Sequence, residues 1–292
     1  KGVGRLMKDT KLAGLSRENW LEIRKQGLGG SDIASIMKQS PWSTPLDVYY
    51  DKMGMSEPIP DNPRMKAGRF LEGAVADLFE DNHPEMKVRK DTRMRVHHKH
   101  NFLYANTDRL LQDEDGKLGV LEIKTTSSFY AKTWEESIPY QYYCQLQHYL
   151  NVMGYDYGYV AILIDGYDYA DYYYERDDKL IAEIEAEAIK FWKQNVLKGV
   201  EPEPMSDEDL AKLFPTEEKG KEIEADMLDI INIEKYLDAQ QRKGIATLDM
   251  DDAKFNLKKS MTDCEVLVDH QVVLATLKAN AKGTRILRVN KQ

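Results

Sequence analysis

The sequence predicts an α/β fold: a mixed central β-sheet flanked by helices, with a C-terminal extension of helices and a small β-sheet. Three observations predict it. Short β-rich runs at about 102–111, 118–125 and 158–165 alternate with stretches of helical period at 64–82, 139–153 and 177–198. The run Gly158-Tyr-Val-Ala-Ile-Leu-Ile-Asp165 is apolar almost throughout, as befits a strand buried on both faces of a sheet. Finally, Glu201-Pro-Glu-Pro204 breaks the chain ahead of long charged helical stretches, which divides it into a core, residues 1–204, and an extension, residues 205–292.

Bulk properties narrow the class. The 292 residues are 42% hydrophobic and 31% charged, the composition of a soluble globular protein. No apolar run of transmembrane length and no signal peptide is evident, so a cytoplasmic protein with no membrane partner is expected. Two cysteines, Cys144 and Cys264, are too few for a disulfide framework or a Cys-rich metal site. The net charge of −9 argues against a nucleic-acid partner unless a basic groove is set apart from acidic faces.

In chain order, Ser16 caps a first helix over Arg17–Arg24. Glycines 27, 29 and 30 end it, and Ser31 is expected to cap the next helix. A serine hydroxyl, glycine-freed N–H groups and a helix start make an anion site, to which Arg24 can add charge; an ordinary helix–Gly–helix corner is the plain alternative. Residues 39–54 run from a loop into a short helix capped by Ser43 or Thr44, with Pro45 in its first turn. Trp42 either packs this loop onto the core or stacks on a DNA end. Glu57–Pro63 is a Pro-rich surface linker.

Residues 64–82 form an amphipathic helix with Ala67, Leu71, Ala74, Val75, Leu78 and Phe79 as its buried stripe. Gly68 and Glu72 share a face; Glu72 is either a site carboxylate or a surface partner of Arg69 or Lys66. Strands are expected at about 86–96, 102–111 and 118–125. His97, His98 and His100 occupy the loop between the first two, with no further metal-ligand group at suitable spacing.

The strand Gly119-Val-Leu-Glu-Ile-Lys-Thr-Thr126 carries Glu122 and Lys124 two apart, hence on one face. Charges among Val, Leu and Ile must be paired or hold a metal. The turn Asp113-Glu-Asp-Gly116 folds the preceding strand back, so Asp108 can join them. Thr125 to Tyr130 then bring hydroxyls that can hold phosphates or cap a turn. On the helix 139–153, Gln145 and Tyr149 share a face that Gln141 extends; a buried glutamine amide needs a partner. Ile181, Ile184, Ala188, Phe191 and Trp192 are core positions of the helix 177–198.

Beyond 204 the pattern gives helices at 206–213, 217–242 and 247–261, then three short strands. Lys278, Lys282, Arg285, Arg288 and Lys291 make the tail basic, either to contact DNA or as the charged surface of a small sheet.

Asp108 followed by Glu122-x-Lys124 resembles the core of the PD-(D/E)xK nucleases, which have a restriction-endonuclease-like fold. With Arg24…Gly-Gly-Ser31-Asp, Gly68-x-x-x-Glu72 and Gln145-x-x-x-Tyr149 in the same order, residues 16–200 resemble the YqaJ-type viral recombinase nucleases, relatives of the phage lambda exonuclease. The resemblance implies a Mg²⁺-dependent 5′→3′ exonuclease on linear double-stranded DNA, with Mn²⁺ a substitute, leaving 3′ tails for a single-strand annealing protein. By the same resemblance Glu72, Asp108, Glu122 and the Ile123 carbonyl hold the metal. Lys124 positions or activates the water, Gln145 helps place Lys124 or the scissile strand, Tyr149 completes the motif, and Arg24 and Ser31 bind the 5′-phosphate. It also implies a ring-shaped homotrimer in the cytoplasm of a bacterial host. An endonuclease on the same fold and a non-catalytic DNA-end-binding protein are the alternatives. A related branch with a four-Cys iron–sulfur cluster is disfavoured, since two cysteines cannot ligate one.

Overall fold

A computed structural model of the chain describes residues 9–11, 15–57 and 60–290. Pro58 and Ile59 of the expected linker and Lys291 of the basic tail lie outside the described residues. The chain divides into two compact units, residues 1–216 and 217–292.

The first unit begins with β1 (Thr10–Lys11), α1 (Arg17–Arg24), α2 (Gly30–Ile36), α3 (Pro45–Met53) and α4 (Pro63–Asn82). The strands β2 (Lys87–Lys90), β3 (Arg93–Val96), β4 (Tyr104–Ala105), β5 (Arg109–Gln112) and β6 (Leu118–Thr126) follow. A 3-10 stretch, Ser128–Trp134, leads to α5 (Tyr140–Met153), β7 (Tyr157–Ile164), β8 (Asp168–Glu175), α6 (Asp178–Phe191), a π-helical turn (Trp192–Val196) and α7 (Asp207–Leu213).

Among the described residues, five strands form the central sheet in the order β2-β5-β6-β7-β8. Only β6 and β7 run parallel, with Glu122 opposite Val160 and Lys124 opposite Ile162. A parallel pair needs a crossover, and α5 supplies it. The sheet separates two cores. Val120, Val160 and Ile162 pack with Leu146 and Leu150 of α5 and Ile184 of α6. Leu121, Ile123, Ala161 and Leu163 pack with Val75 and Phe79 of α4. Because side chains alternate along a strand, this sends Glu122 and Lys124 of β6 toward α5.

The mixed α/β architecture agrees with the sequence, but several elements differ from expectation. The run 86–96 splits at Asp91 into strands of different sheets. Asp91 is buried and accepts from the Arg93 amide (3.1 Å), the Arg95 guanidinium (3.3 Å) and the Thr107 hydroxyl (3.3 Å), bonds that draw the backbone out of a straight ladder. The run 102–111 likewise breaks before Arg109. Gly29, not Ser31, caps α2, and Asp32 accepts from the Gly29 amide at 2.9 Å. The buried stripe of α4 is shorter than expected: Ala67 and Ala74 are exposed, while Val75, Ala76 and Phe79 are buried. Trp42 is 69% exposed and does not anchor its loop in the core.

In the second unit α8 (Met227–Met261) is one helix where two were expected, and residues 217–226 are not helical. Thr247, read as a helix start, donates its hydroxyl to the Lys243 carbonyl (2.8 Å), a bond that fits a helix interior. The strands β9 (Val266–Asp269), β10 (Val272–Ala279) and β11 (Arg285–Val289) form an antiparallel sheet in the order β11-β10-β9, over a small core of Met261, Ala275 and Leu277. Part of its basic charge is already paired, as in Lys278–Glu265 at 2.6 Å. No helix among the described residues is long and apolar enough to cross a membrane.

Candidate active site

The central feature is β6. Its apolar residues hold it between two strands, and the alternation that buries Val120 also buries Glu122, which is only 5% exposed. Lys124 Nζ donates to Glu122 Oε1 (2.5 Å) and to Gln145 Oε1 (3.3 Å). Gln145 Nε2 in turn donates to Glu122 Oε1 (2.7 Å) and to the Tyr149 hydroxyl (2.8 Å). The two faces read separately from sequence, Glu122/Lys124 and Gln145/Tyr149, are therefore one network. The buried glutamine amide has its partners. Tyr142 adds its ring face 4.8 Å from Lys124 Nζ, a cation–π contact that the sequence reading missed.

Asp108 reaches the same place from the start of β5, where its Oδ2 accepts from the Ile123 amide (2.8 Å). Burial, and then the Glu122 carboxylate, push the Asp108 carboxyl up to about 8. Glu72 arrives from α4; its Oε1 is held by Arg109 Nη1 at 2.6 Å, with Lys90 Nζ 3.9 Å away. Arg109 also donates to the Asp108 carbonyl (2.7 Å), so it braces both acids. Burial works against the charge on Lys124, but Glu122 and then Asp108 outweigh it and hold its pKa above the ordinary value.

Glu122 and Asp108 offer hard oxygens suited to a divalent cation, whereas Glu72 is drawn to Arg109 and the three carboxylates do not all come within 4.8 Å of one another. Glu122 Oε2 is buried and has no hydrogen-bond partner, although Oε1 of the same group has two. Asp108 sits nearby with its charge disfavoured by burial and by like charge. Clustered carboxylates with an orphaned oxygen are what a cation would satisfy.

A second cluster adjoins the first. Arg24 Nη2 donates to Ser31 Oγ (2.8 Å) and to Asp32 Oδ1 (3.2 Å). Asp32 also pairs with Lys52 Nζ at 2.7 Å. Burial opposes ionisation of Asp32, but Lys52 and then Arg24 overcome it and lower its pKa to about 2. Asp32 and Lys52 were given no role in the sequence reading, yet they fix the guanidinium that the motif depends on. Gly30 joins the two clusters: a Cβ there would lie 2.6 Å from Tyr149 Cε1 and 2.8 Å from Gln145 Cγ. Only glycine lets α2 seat directly on the Gln145/Tyr149 face of α5.

The histidines form a separate group. Glu185 of α6 approaches His100 Nε2 at 3.2 Å and His97 Nε2 at 3.8 Å, a third polar group that sequence spacing did not reveal. These ligand atoms all lie within 4.8 Å of one another. However, His97 Nδ1 accepts the His100 amide (3.2 Å), which leaves the ring proton of neutral His97 on Nε2, where a metal would bind. Burial lowers His97 to about 4, so it is neutral at pH 7. As it stands, the cluster is a polar contact between the β3–β4 turn and α6.

The YqaJ-like viral recombinase domain matches residues 19–156, the span holding Arg24, Ser31, all three acids, Lys124, Gln145 and Tyr149. The YqaJ protein of Bacillus subtilis (strain 168), itself uncharacterised, is 35% identical over 260 residues, covering 86% of this chain and 80% of its own. Crystal structures of LHK-Exo, an alkaline exonuclease from Laribacter hongkongensis, share the fold. The enzyme alone gives a TM-score of 0.53 at 21% identity, covering 63% of this chain and 94% of its own. Its complex with dAMP gives 0.54 at 21% identity, covering 67% and 97%.

Proposed function

The chain belongs to the YqaJ-like viral recombinase family, and from that premise we propose that it is a Mg²⁺-dependent nuclease digesting linear duplex DNA from its 5′ ends. The 3′ tails so produced suit recombination by single-strand annealing, with an annealing protein as partner. The observation that carries the reading is the network of Glu122, Lys124, Gln145 and Asp108, with the orphaned Glu122 Oε2 at its centre. The fold shared with an alkaline exonuclease is consistent with it.

Glu72, Asp108, Glu122 and the Ile123 carbonyl would hold Mg²⁺, or Mn²⁺ in its place. When bound, the metal offsets phosphate charge and makes a coordinated water more acidic. Lys124 stays protonated beside Glu122 and Asp108. It orients the water and counters negative charge developing on the phosphate. Gln145 bridges Lys124 and Glu122 and fixes the ammonium's direction. Arg24 and Ser31 receive the 5′-phosphate, which would share the guanidinium now bonded to Ser31 and Asp32. Residues 1–204 carry every one of these groups and constitute the nuclease core; 205–292 is an extension whose first helix, α7, still lies within the first compact unit. A ring-shaped homo-oligomer in a bacterial cytoplasm completes the reading.

The deciding experiment digests a linear duplex, with and without a 5′-phosphate, beside a closed circle, in Mg²⁺ and in EDTA. Mg²⁺-dependent loss of the phosphorylated linear strand is expected. Nicking of the circle would replace the exonuclease with an endonuclease. Absence of cleavage with every metal would leave a DNA-end-binding protein.

A further inference from the structure

Three aromatic side chains stand exposed where the elements of the two clusters meet. Trp42 is 69% exposed, Phe129 84% and Tyr130 38%. They touch each other in sequence: Trp42 meets Tyr130 edge-on at 6.3 Å between ring centres, and Tyr130 meets Phe129 edge-on at 4.9 Å. Exposed aromatic rings scattered singly need no explanation, but a contiguous group does.

Their positions tie them to the site. Phe129 and Tyr130 come immediately after β6, the strand that carries Glu122 and Lys124. The Ser128 amide donates to Asp165 Oδ1 (3.0 Å), which pins the start of their turn to the end of β7. Trp42 lies in the loop after α2, the helix of Ser31 and Asp32. The hydroxyls of Ser35 on α2 and Ser43 beside Trp42 are 2.5 Å apart, and Ser40 Oγ accepts the Trp42 amide at 3.2 Å. The Trp42–Tyr130 contact thus spans the loop of the phosphate cluster and the turn that follows the carboxylate strand. Rings held by backbone bonds, not by burial, leave their faces and edges open to a flat partner.

Glu122 is 5% exposed and Lys124 Nζ sits over the Tyr142 ring, so the site is recessed, and on the exonuclease reading a strand parted from its complement reaches it most easily. Freed bases lose their stacking neighbours, and aromatic side chains replace these without regard to sequence.

We propose that Trp42, Tyr130 and Phe129 form a stacking platform for unpaired nucleobases beside the cleavage centre. The inference rests on DNA being the substrate, and its test reads binding without cleavage. In EDTA, the full-length chain is titrated with a short 5′-phosphorylated oligothymidylate and with the same oligomer built from abasic residues. Native chain, Trp42→Ala/Tyr130→Ala and Trp42→Phe are compared. Stacking predicts that removing the bases weakens binding to native chain about tenfold or more. The double substitution loses the same factor on the normal oligomer and nothing further on the abasic one, a non-additivity that marks direct contact. Trp42→Phe, which keeps a ring, recovers most of the loss. Equal losses on both oligomers would overturn the platform, as would a change of oligomeric state with unchanged DNA binding, which would assign the rings to contact between copies. An intact cycle in a chain that fails to cut DNA in Mg²⁺ would sink the nuclease reading and leave the platform standing.

Discussion

Lys124 illustrates how much one residue does here. Its ammonium bridges Glu122 and Gln145 and faces the Tyr142 ring. Lys124→Ala or Glu122→Gln should lower cleavage about a hundredfold or more while the circular dichroism spectrum is kept; full activity in either variant would remove both from the site. Metal binding has a readout of its own. Mg²⁺ should raise the melting temperature of the native chain, because it satisfies Glu122 Oε2 and Asp108, and should leave Asp108→Asn almost unmoved. An equal rise in both would place the ion elsewhere. Asp32 gives a pH test. Its folded pKa of about 2 lies below the ordinary 3.8, so its stabilisation is complete above about pH 4 and is lost as pH falls toward 2. Asp32→Asn should flatten that acid limb and cost roughly 3–5 kcal/mol at pH 7, since it leaves Lys52 buried without its best partner. An unchanged acid limb in denaturant titrations would contradict the pairing.

At the scale of elements, the joint between α2 and α5 decides whether the site assembles. Gly30→Ala would drive a methyl group into Tyr149 and Gln145, so it should cost roughly 1–3 kcal/mol and reduce cleavage together with 5′-phosphate preference. Gly68→Ala is the control: its Cβ would meet Thr125 Oγ1 at an ordinary 3.5 Å inside α4, which should stabilise the chain by roughly 0.5–1 kcal/mol. If both substitutions had the same effect on melting, close approach at Gly30 would not be the reason for glycine. The same joint marks the limit of what sequence discloses. β6 and β7 were legible because β-branched and apolar runs bounded by turns have few other solutions. Glu122, Lys124, Gln145 and Tyr149 could be named from motif order, but that Gln145 bonds Glu122 required the parallel crossover to be built. Asp32, Lys52 and Glu185 were missed because each acts across elements: Lys52 reaches back to Asp32 and Glu185 to His97 and His100. Ser31 was mistaken for a cap because its hydroxyl suits that role equally well; Arg24 claims the hydroxyl instead. The division of 86–96 was hidden because it depends on Thr107 reaching back to Asp91.

For the whole molecule, the net charge of −9 and a DNA substrate are compatible if positive charge gathers where the duplex lies. Arg89, Lys90, Arg93 and Arg95 line one groove along β2 and β3, and Lys90 is the residue that approaches Glu72. This basic strip therefore runs up to one of the site carboxylates. The first unit has both large cores and every residue of the proposed cleavage network, whereas the second has its own small core around Met261, Ala275 and Leu277. A chain ended after residue 216 should accordingly melt cooperatively and still cut linear DNA in Mg²⁺, at a rate within about an order of magnitude of the full chain under single-turnover conditions. Ile230, Ile233, Leu237, Leu248 and Phe255 of α8 are exposed, so the shortened chain should also show less self-association by sedimentation. Retained folding with complete loss of cutting would show that residues 217–292 supply part of the cleavage machinery, and the division of labour between the two units would have to be redrawn.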